Sequence, residues 1–349
     1  MLTIKQLQDR IDKQPRARIL NLPTPLEEMP RLSKKLGGPR LWIKRDDCTG
    51  LAFGGNKERK AEFVLGDALS KKANVVITTG GIQSNHVRCT TAAARKLGLE
   101  SVLIIQGEKP KTFDGNLLLD YLMGAELRFV TTKGADIDSI MKETAKELEQ
   151  QGQTPYVIPT GASYSTGAVA YANAMLELLT QAREKDFKID YVAHAAGSGG
   201  TQAGLVLANK AVGSGAKILG VCVEEDGSWL IDKTVEIAND ASELLDLGVI
   251  VTVKDVNVEV YAGKGYGVLS SEVTDTIRLT AQTEGILLDP IYTGKALAGL
   301  INMIKSGRLG KEENVVFIHT GGLPALFPYK AELVQGTSDV PIRSKQGYS

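Results

Sequence analysis

Residues 54–60, with the sequence GGNKERK, place basic side chains directly after two glycines. Glycines allow the backbone to turn tightly or to approach a ligand closely. Asn56 is of a type that caps helices, so Lys57, Arg59 and Lys60 are predicted in the first turn of a helix. The positive end of the helix dipole disfavours cations there, unless an anion is bound at the same place. The segment therefore indicates either solvated basic residues or an anion-binding site.

A second glycine-rich segment, HAAGSGGTQAGL at 194–205, follows a predicted strand and opens a predicted helix. Backbone N–H groups at such a helix start bind phosphate well, and two hydroxyl groups lie among them. A simple glycine turn between strand and helix is the alternative. The predicted phosphate-binding residues are Gly197, Ser198, Gly199, Gly200 and Thr201.

The same segment partly matches the dinucleotide-binding pattern GxGxxG, whose third glycine is replaced here by Gln202. Glu224 and Glu225 end the next predicted strand, where dinucleotide-binding proteins carry a ribose-binding acid. A dinucleotide is therefore an alternative ligand, but it does not account for the basic segment 54–60.

The segment TTGGIQSNHVR at 78–88 has the same strand–loop–helix form. Ser84 and Asn85 could cap the helix while facing a pocket, which suits a substrate carboxylate, although capping alone would also explain them. His86 is interpreted as a structural or substrate-contacting residue rather than as a metal ligand. Together with Arg88, it could also supply positive charge to the substrate.

Two tyrosines lie in loops: Tyr266 in YAGKGYGVLSSE and Tyr292 in LLDPIYTGKA. Such residues often serve only packing, but near an activated lysine they would be plausible acid–base groups. Thr320 follows the predicted strand in VVFIHTGGLPAL, at an edge where parallel sheets bind ligands.

A lysine near a phosphate site, backbone donors and tyrosines fits Schiff-base chemistry with pyridoxal 5′-phosphate. Lys57 and Lys60 are three residues apart and share one helical face. One of them would bind the cofactor covalently and the other would contact its phosphate. The anion that favours the basic segment is then the cofactor itself.

These segments need a scaffold, and the hydrophobic pattern predicts an α/β fold. Short β-branched runs bounded by glycine or proline predict strands at ANVVITTG, SVLIIQG, AELRFV, PYVIPTG, IDYVAHAAG, KILGVCVEE and ENVVFIHTGG. Helical patterns lie between them at about 84–97, 113–123, 136–150 and 167–182. This alternation predicts parallel sheets with helices on both faces, and a length of 349 residues suggests about two domains.

Composition excludes several classes of protein. The 41 basic and 41 acidic side chains balance, which argues against a dedicated nucleic-acid-binding protein. Three scattered cysteines without CxxC spacing indicate reduced thiols, and three histidines do not predict a metal site. No apolar run approaches the roughly 18 residues of a membrane span, and the first residues lack the apolar core of a secretory signal. A cytoplasmic location is expected.

With these motifs in place, the chain resembles the pyridoxal-phosphate-dependent D-cysteine desulfhydrase and 1-aminocyclopropane-1-carboxylate (ACC) deaminase family. The resemblance extends from LPTPLEEMPRLSKKLGGPRLWIKRDDCTGLAFGGNKERK to FIHTGGLPALF. It implies the tryptophan-synthase-β type of fold (fold type II), with two open, twisted, mainly parallel sheets flanked by helices. It also implies a large cofactor-binding domain from 1–57 and 168–349, a small inserted domain at 58–167, and a homodimer.

The resemblance implies a role for each motif residue. Lys57 would be the Schiff-base lysine, Lys60 would lie near the phosphate, and residues 197–201 would form the phosphate cup. Asn85 would lie against the pyridine ring and its 3′-oxygen. The remaining family site residues would be Ser84, Tyr266 and Tyr292 in catalysis and Thr293 and Thr320 at the ring.

Two departures bear on the substrate. ACC deaminases carry a glutamate directly after the tyrosine that matches Tyr292 and a leucine at the position of Thr320, whereas this chain has Thr293 and Thr320. A carboxylate at the ring nitrogen keeps it protonated and strengthens the electron sink, which helps to open a cyclopropane. Hydroxyl groups leave a milder sink, which suffices when a good leaving group departs.

The expected reaction is therefore α,β-elimination from D-cysteine to pyruvate, ammonia and hydrogen sulfide. L-cysteate sulfo-lyase, whose WIKRDDCTGLA segment is also similar, and ACC deaminase are the nearest alternatives. A dinucleotide-binding protein or a non-catalytic pyridoxal-phosphate carrier is the alternative from another class.

Overall fold

In a computed structural model of the chain, residues 1–131, 134–223, 227–261, 265 and 267–334 are described. Short apolar and β-branched runs form strands in this part of the chain, as their pattern predicts. The strands are β1 (Leu26–Glu28), β2 (Arg40–Lys44), β3 (Val75–Gly81), β4 (Glu100–Gln106), β5 (Glu126–Val130), β6 (Pro155–Val157), β7 (Tyr191–Ala196), β8 (Lys217–Cys222), β9 (Asn257–Val260) and β10 (Asn314–Ile318).

Longer segments between the strands form helices, several of which begin after a side-chain cap such as Ser84 or Ser270. The α-helices are α1 (Ile4–Ile11), α2 (Pro30–Leu36), α3 (Asn56–Ser70), α4 (Asn85–Lys96), α5 (Gly115–Leu122), α6 (Ile137–Gln150), α7 (Ser165–Glu184), α8 (Gly200–Val212), α9 (Gly227–Leu244), α10 (Ser271–Glu284), α11 (Thr293–Lys305) and α12 (Lys330–Val334). Within the described ranges, none of these helices combines the length and apolar character that crossing a bilayer requires.

The described strands form two separate sheets. The larger sheet has the order β1-β2-β10-β7-β8-β9 and is antiparallel only between β1 and β2. The smaller sheet has the order β5-β4-β3-β6 and is entirely parallel. The prediction of two mainly parallel sheets flanked by helices is confirmed.

The smaller sheet uses only residues 75–157, whereas the larger sheet takes strands from both sides of that segment. This order along the chain is what an inserted small domain requires. The boundaries of that insertion, 58–167 within 1–57 and 168–349, stay a prediction.

Helices α7 and α8 pack closely over the larger sheet and belong to its main hydrophobic core. Gly204 of α8 makes this possible, since a β-carbon there would lie 2.1 Å from the carbonyl oxygen of Ala168. The strand register brings His194 of β7 beside Ile318 of β10, so the carboxyl ends of these strands reach one edge of the sheet. In parallel sheets this edge is where ligands bind.

Candidate active site

A cavity of about 340 Å³ lies where the carboxyl ends of β3 and β4 face those of β7 and β10. It is lined by residues from both sheets, and its size is that of a small-molecule site. The lining residues are 56–57, 80–81, 84–86, 106, 160–161, 194–199, 201–202, 292 and 320. Most of the site residues predicted from sequence are therefore brought together here, although they come from distant parts of the chain.

The two lysines of the basic segment lie on one face of α3, as predicted. The amino groups of Lys57 and Lys60 both donate to the carbonyl oxygen of Gly161, at 3.3 and 3.1 Å. Lys57 lines the cavity, whereas Lys60 is fully buried beside it. Burial lowers the pKa of Lys57 to about 8, which gives a substantial neutral, nucleophilic fraction near neutral pH. Burial and the charge of Lys57 lower the pKa of Lys60 well below its usual range.

The two glycines before the lysines serve a close backbone approach. Gly55, with φ of +131°, bridges to Gly321, and a β-carbon at Gly321 would lie 2.7 Å from the Cα of Gly55. Gly55, not Asn56, is the cap residue of α3, so the predicted cap is wrong. The side chain of Asn56 instead donates to the hydroxyl of Thr201 at 3.0 Å, linking the lysine helix to the phosphate segment.

A buried ionic network fixes α3 in the larger domain. Arg59 is 2% exposed and donates to Asp46 and to Glu177, each at 2.8 Å. Lys44 of β2 contacts the same Glu177 oxygen at 2.5 Å, and Tyr171 donates to Asp46 at 2.6 Å. Of the predicted basic residues, Arg59 therefore has a structural role and does not face the cavity.

The phosphate segment has the geometry of an anion cup. Gly199 takes a φ of +81° as the cap residue of α8, and it lines the cavity together with Thr201, so the start of this helix, where anions bind, lies at the cavity. Ser198 contacts Ser163 through their hydroxyl oxygens at 2.6 Å. A β-carbon on Gly200 would lie 2.9 Å from the amino nitrogen of Lys60, which places that cation directly beside the cup. Gly200 itself does not line the cavity.

The first turn of α4 faces the cup from the smaller sheet. Ser84 caps this helix, and its hydroxyl accepts from the backbone N–H of Val87 at 3.3 Å. Ser84, Asn85 and His86 all line the cavity. The ring of His86 is bonded to Thr78 at 2.7 Å, and burial together with Lys57 and Lys60 lowers its pKa well below the usual value. His86 is therefore neutral, and the contact it can offer a substrate anion is its backbone N–H.

Arg88, one turn further along α4, does not supply charge to the cavity. It is fully buried and donates to Asn116 and to the backbone carbonyls of Ala52 and Gly54. It also lies 3.6 Å from the carboxylate of Glu58. Its role is to hold the loop before α3 against α4.

The residues expected around the ring divide into three groups. Tyr292 and Thr320 line the cavity. Thr293 does not: it is fully buried, and its hydroxyl donates to Asp289 at 2.6 Å and accepts from the Asp289 backbone N–H at 2.8 Å. The Thr293 hydroxyl is thus engaged by Asp289 at the start of α11, and its predicted role at the cofactor ring stays a prediction. Tyr266 lies outside the described residues.

Sequence reasoning missed several lining residues, among them Gly161, His194 and Gln202. His194 and Gln202 are fully buried, and the His194 Nε2 and Gln202 Oε1 atoms have no hydrogen-bond partner among the described residues. His194 lies in β7, three residues before Gly197, so its position near the end of the strand that leads into the glycines was the available signal. The Gln202 side chain runs towards β8 and β9, because its Nε2 donates to the carbonyl of Asn257 and a β-carbon on Gly220 would lie 2.1 Å from its Oε1.

These residues fit pyridoxal phosphate. The cup at the start of α8, with Lys60 beside it, suits a phosphate dianion. Lys57 has the depressed pKa and the cavity position of a Schiff-base lysine. Within the described residues, no carboxylate forms an ion pair with Lys57 or Lys60, so both amino groups are available to an anionic ligand.

Known proteins resemble the chain over nearly its whole length. It is 41% identical to a protein of Pyrococcus abyssi (strain GE5 / Orsay) provisionally named 1-aminocyclopropane-1-carboxylate deaminase, over 92% of this chain and 96% of that one. It is also 41% identical to D-cysteine desulfhydrase of Klebsiella pneumoniae (strain 342), over 91% and 97%. A crystal structure of an ACC deaminase homologue superposes with a TM-score of 0.88 at 40% identity, over 94% of this chain and 98% of that chain. Residues 18–321 match the model of the pyridoxal-phosphate dependent enzyme family, and the chain belongs to that family.

Proposed function

We propose that this pyridoxal-phosphate-dependent lyase catalyses α,β-elimination from D-cysteine, with pyruvate, ammonia and hydrogen sulfide as products. In balance, D-cysteine and one water give one molecule of each product. The observation that carries the proposal is that none of the described residues lining the cavity has a carboxylate side chain. Lys57, hydroxyl groups, amides, neutral histidines and Tyr292 supply the polar atoms instead.

That lining bears on the leaving group. A carboxylate at the ring nitrogen would hold a proton there and strengthen the electron sink. Of the two threonines expected at the ring, Thr320 lines the cavity, while the Thr293 hydroxyl is bonded to Asp289. The milder sink that results is sufficient when hydrosulfide, a good leaving group, departs from the β-carbon. This supports elimination over the opening of an unactivated cyclopropane.

When bound, pyridoxal phosphate supplies the electron sink that makes the substrate α-proton acidic. The protein would hold its phosphate with residues 197–201 and Lys60, and its aldehyde carbon with Lys57. Backbone N–H groups at the start of α4, beside Ser84, bind the substrate carboxylate. The Lys57 amine, with its pKa of about 8, accepts the α-proton if the proton lies on its side of the ring. Ser84 or Tyr292 accepts it on the other side.

L-cysteate is disfavoured as the substrate because its sulfonate requires a cationic or donor-rich pocket. His86 is held neutral, and Arg88 spends its N–H groups on Asn116 and on the loop before α3. Among the lining residues that the structure describes, Lys57 is the only cation, and the cofactor occupies it. ACC is the second candidate substrate, since relatives of equal identity carry both names.

The test is product release from the purified holoenzyme offered D-cysteine, L-cysteine, L-cysteate and ACC in parallel, with Lys57→Ala as the inactive control. Pyruvate with sulfide from D-cysteine as the fastest reaction supports the proposal. Fastest release of 2-oxobutyrate from ACC, or of sulfite from L-cysteate, overturns the choice of substrate and leaves the cofactor site intact.

Two predictions accompany this proposal: a homodimer, which the resemblance implies, and a cytoplasmic location, which the sequence pattern indicates. Light scattering of the purified holoenzyme measures the first directly. A mass of one chain at micromolar concentration would contradict it.

A further inference from the structure

Asn116, the second residue of α5, lies behind the cavity and makes contact with one of its lining residues. Its side chain is fully buried and does not line the cavity. Three of its hydrogen bonds define its orientation: the Arg88 Nε donates to its Oδ1 at 2.9 Å, and its Nδ2 donates to the carbonyl of Gln83 at 3.0 Å and to the Oδ1 of Asn85 at 2.8 Å.

The direction of these bonds is fixed by chemistry. An arginine side chain only donates and a backbone carbonyl only accepts, so the Asn116 oxygen must face Arg88 and its nitrogen must face Gln83. The Asn116 nitrogen also donates to Asn85, so the Asn85 side chain must accept this bond through its oxygen. The Nδ2 group of Asn85, with its two N–H donors, is therefore the part left for the cavity.

The side chain of Arg88 is itself held in place by further hydrogen bonds, so it can fix the orientation of the Asn116 amide. Its other N–H groups donate to the carbonyls of Ala52 and Gly54, in the loop that leads into the Lys57 helix. Arg88 also faces the carboxyl groups of Glu58 and Asp120, whose pKa values burial raises to about 7 and about 8. A chain of donors thus starts at Arg88, which the loop carbonyls hold in place, and leads through Asn116 to Asn85.

We propose that Asn116 is a positioning residue that forces Asn85 to present N–H donors, and never its carbonyl oxygen, to the cofactor ring. The site thereby selects an anionic oxygen opposite Asn85. This inference rests on the proposed cofactor-dependent function and on the family resemblance, which implies that Asn85 lies at the 3′-oxygen of pyridoxal phosphate. It is independent of the identity of the amino-acid substrate.

The test uses the visible absorption of the pyridoxal-phosphate-loaded protein as a function of pH, with no amino acid present. A donor on the ring oxygen stabilises its anionic form, which lowers the pH at which the chromophore formed with Lys57 loses its proton. Asn116→Asp keeps the size of the side chain and its contact with Arg88, and in its ionised form it cannot donate, so Asn85 must then turn its oxygen towards the cavity. We expect the titration midpoint to rise by about one pH unit or more.

Asn116→Asp also adds a charge, and the double variant with Asn85→Ala separates the two effects. The titratable groups near the site, Lys60, His86 and Glu58, are unchanged in all of these variants, so they do not account for a difference between them. If Asn116 acts through Asn85, the Asn116→Asp change adds little shift in the Asn85→Ala background. A full shift in that background shows a charge acting through space and overturns the proposal, as does an Asn85→Ala midpoint equal to that of the wild type.

Asn116→Ala keeps the proposal testable if the aspartate variant fails to fold. In Asn116→Ala, the side chain at position 116 has neither a donor nor an acceptor for Asn85, so the Asn85 amide can adopt both orientations. The titration midpoint should then rise by less than in Asn116→Asp. An unchanged midpoint overturns the proposal. A chain that acts on ACC instead of D-cysteine would show the same spectra, so failure of this inference and failure of the substrate proposal are distinguishable.

Discussion

Lys57 and Lys60 aim their amino groups at a single acceptor, the carbonyl oxygen of Gly161, at 3.3 and 3.1 Å. Burial lowers the pKa of both amino groups, and the neighbouring charge of Lys57 lowers that of Lys60 further. The cavity position of Lys57 suits covalent binding, and the place of Lys60 beside the cup suits the phosphate. The pair therefore divides two tasks between neighbouring turns of one helix.

Replacing Lys57 with alanine should remove the covalent link to the cofactor and reduce turnover by at least about 10³-fold, because the nucleophile and a candidate base are lost together. In the wild type, the rate at which cofactor-free protein captures pyridoxal phosphate should rise through about pH 8, as the neutral amine becomes the main form. Stopped-flow absorbance measures this rate. Lys71→Ala, at the exposed end of the same helix, is the control. A borohydride-reducible adduct in Lys57→Ala would refute the assignment.

Lys60→Met should weaken phosphate binding by about tenfold or more, since a buried charge-assisted hydrogen bond is lost. Pyridoxine 5′-phosphate is the probe, because it lacks the aldehyde that reacts with Lys57. Bound phosphate favours the ammonium form, so binding takes up a proton and affinity should fall as pH rises towards the usual lysine value of 10.5. Calorimetry in buffers of different ionisation enthalpy measures that uptake. An equal uptake in Lys60→Met would assign the proton to another group.

Ser84→Ala should cost about 1 kcal/mol of stability as the loss of a helix cap. It should also raise the KM for the amino acid, because the start of α4 binds the carboxylate. Ser270→Ala is a matched control, since Ser270 caps α10 through the same bond, to the N–H of Val273, away from the cavity. Steady-state kinetics and urea unfolding of both variants separate the roles. Equal KM values in both would leave Ser84 as a cap only.

Arg59→Met should destabilise the fold by about 3–5 kcal/mol, because Asp46 and Glu177 lose their buried partner. Arg40→Met, which breaks an exposed pair with Glu28, should cost at most about 1 kcal/mol. Urea unfolding of the two variants gives the comparison. Similar losses in both would show that the buried network contributes no more than a surface pair.

The same network predicts sensitivity to acid. Burial raises the pKa of Glu177, but Arg59 and Lys44 outweigh it and hold the value at about 2. A folded pKa below the unfolded value of about 4.3 adds stability that is complete above the unfolded value. It is lost as pH falls from there towards 2. Urea unfolding between pH 6 and 3 should show a smaller pH dependence in Arg59→Met than in the wild type.

Strands with strong apolar patterns could be predicted from the sequence, and those of the smaller sheet were found within a few residues. The strands β1, β2 and β9 were not predicted. β1 and β9 are only three and four residues long, and β2 contains Lys44, a charged residue that reads as surface but is buried by its pairing with Glu177. Tertiary ion pairs of this kind leave no local signal.

The candidate site shows the same division. Glycine segments and capping residues were predictable because backbone conformation imposes them locally. The hydrogen bond between the Thr293 hydroxyl and Asp289 was not predictable, because it forms only when the turn at 289–293 has folded. Asn116 was missed entirely, since its partners Asn85 and Arg88 lie about thirty residues away and meet it only after folding.

The lysine helix has a consequence for the lifetime of the protein. Two basic groups are buried at the positive end of α3, and in the described part of the chain no carboxylate pairs with either. The phosphate of the cofactor would supply the negative charge beside these two lysines. The bound cofactor would then stabilise the folded protein in addition to its role in catalysis. Protein emptied of cofactor should unfold at a lower temperature and be cleaved faster by proteases. The amount of this enzyme that persists would then follow the supply of its cofactor.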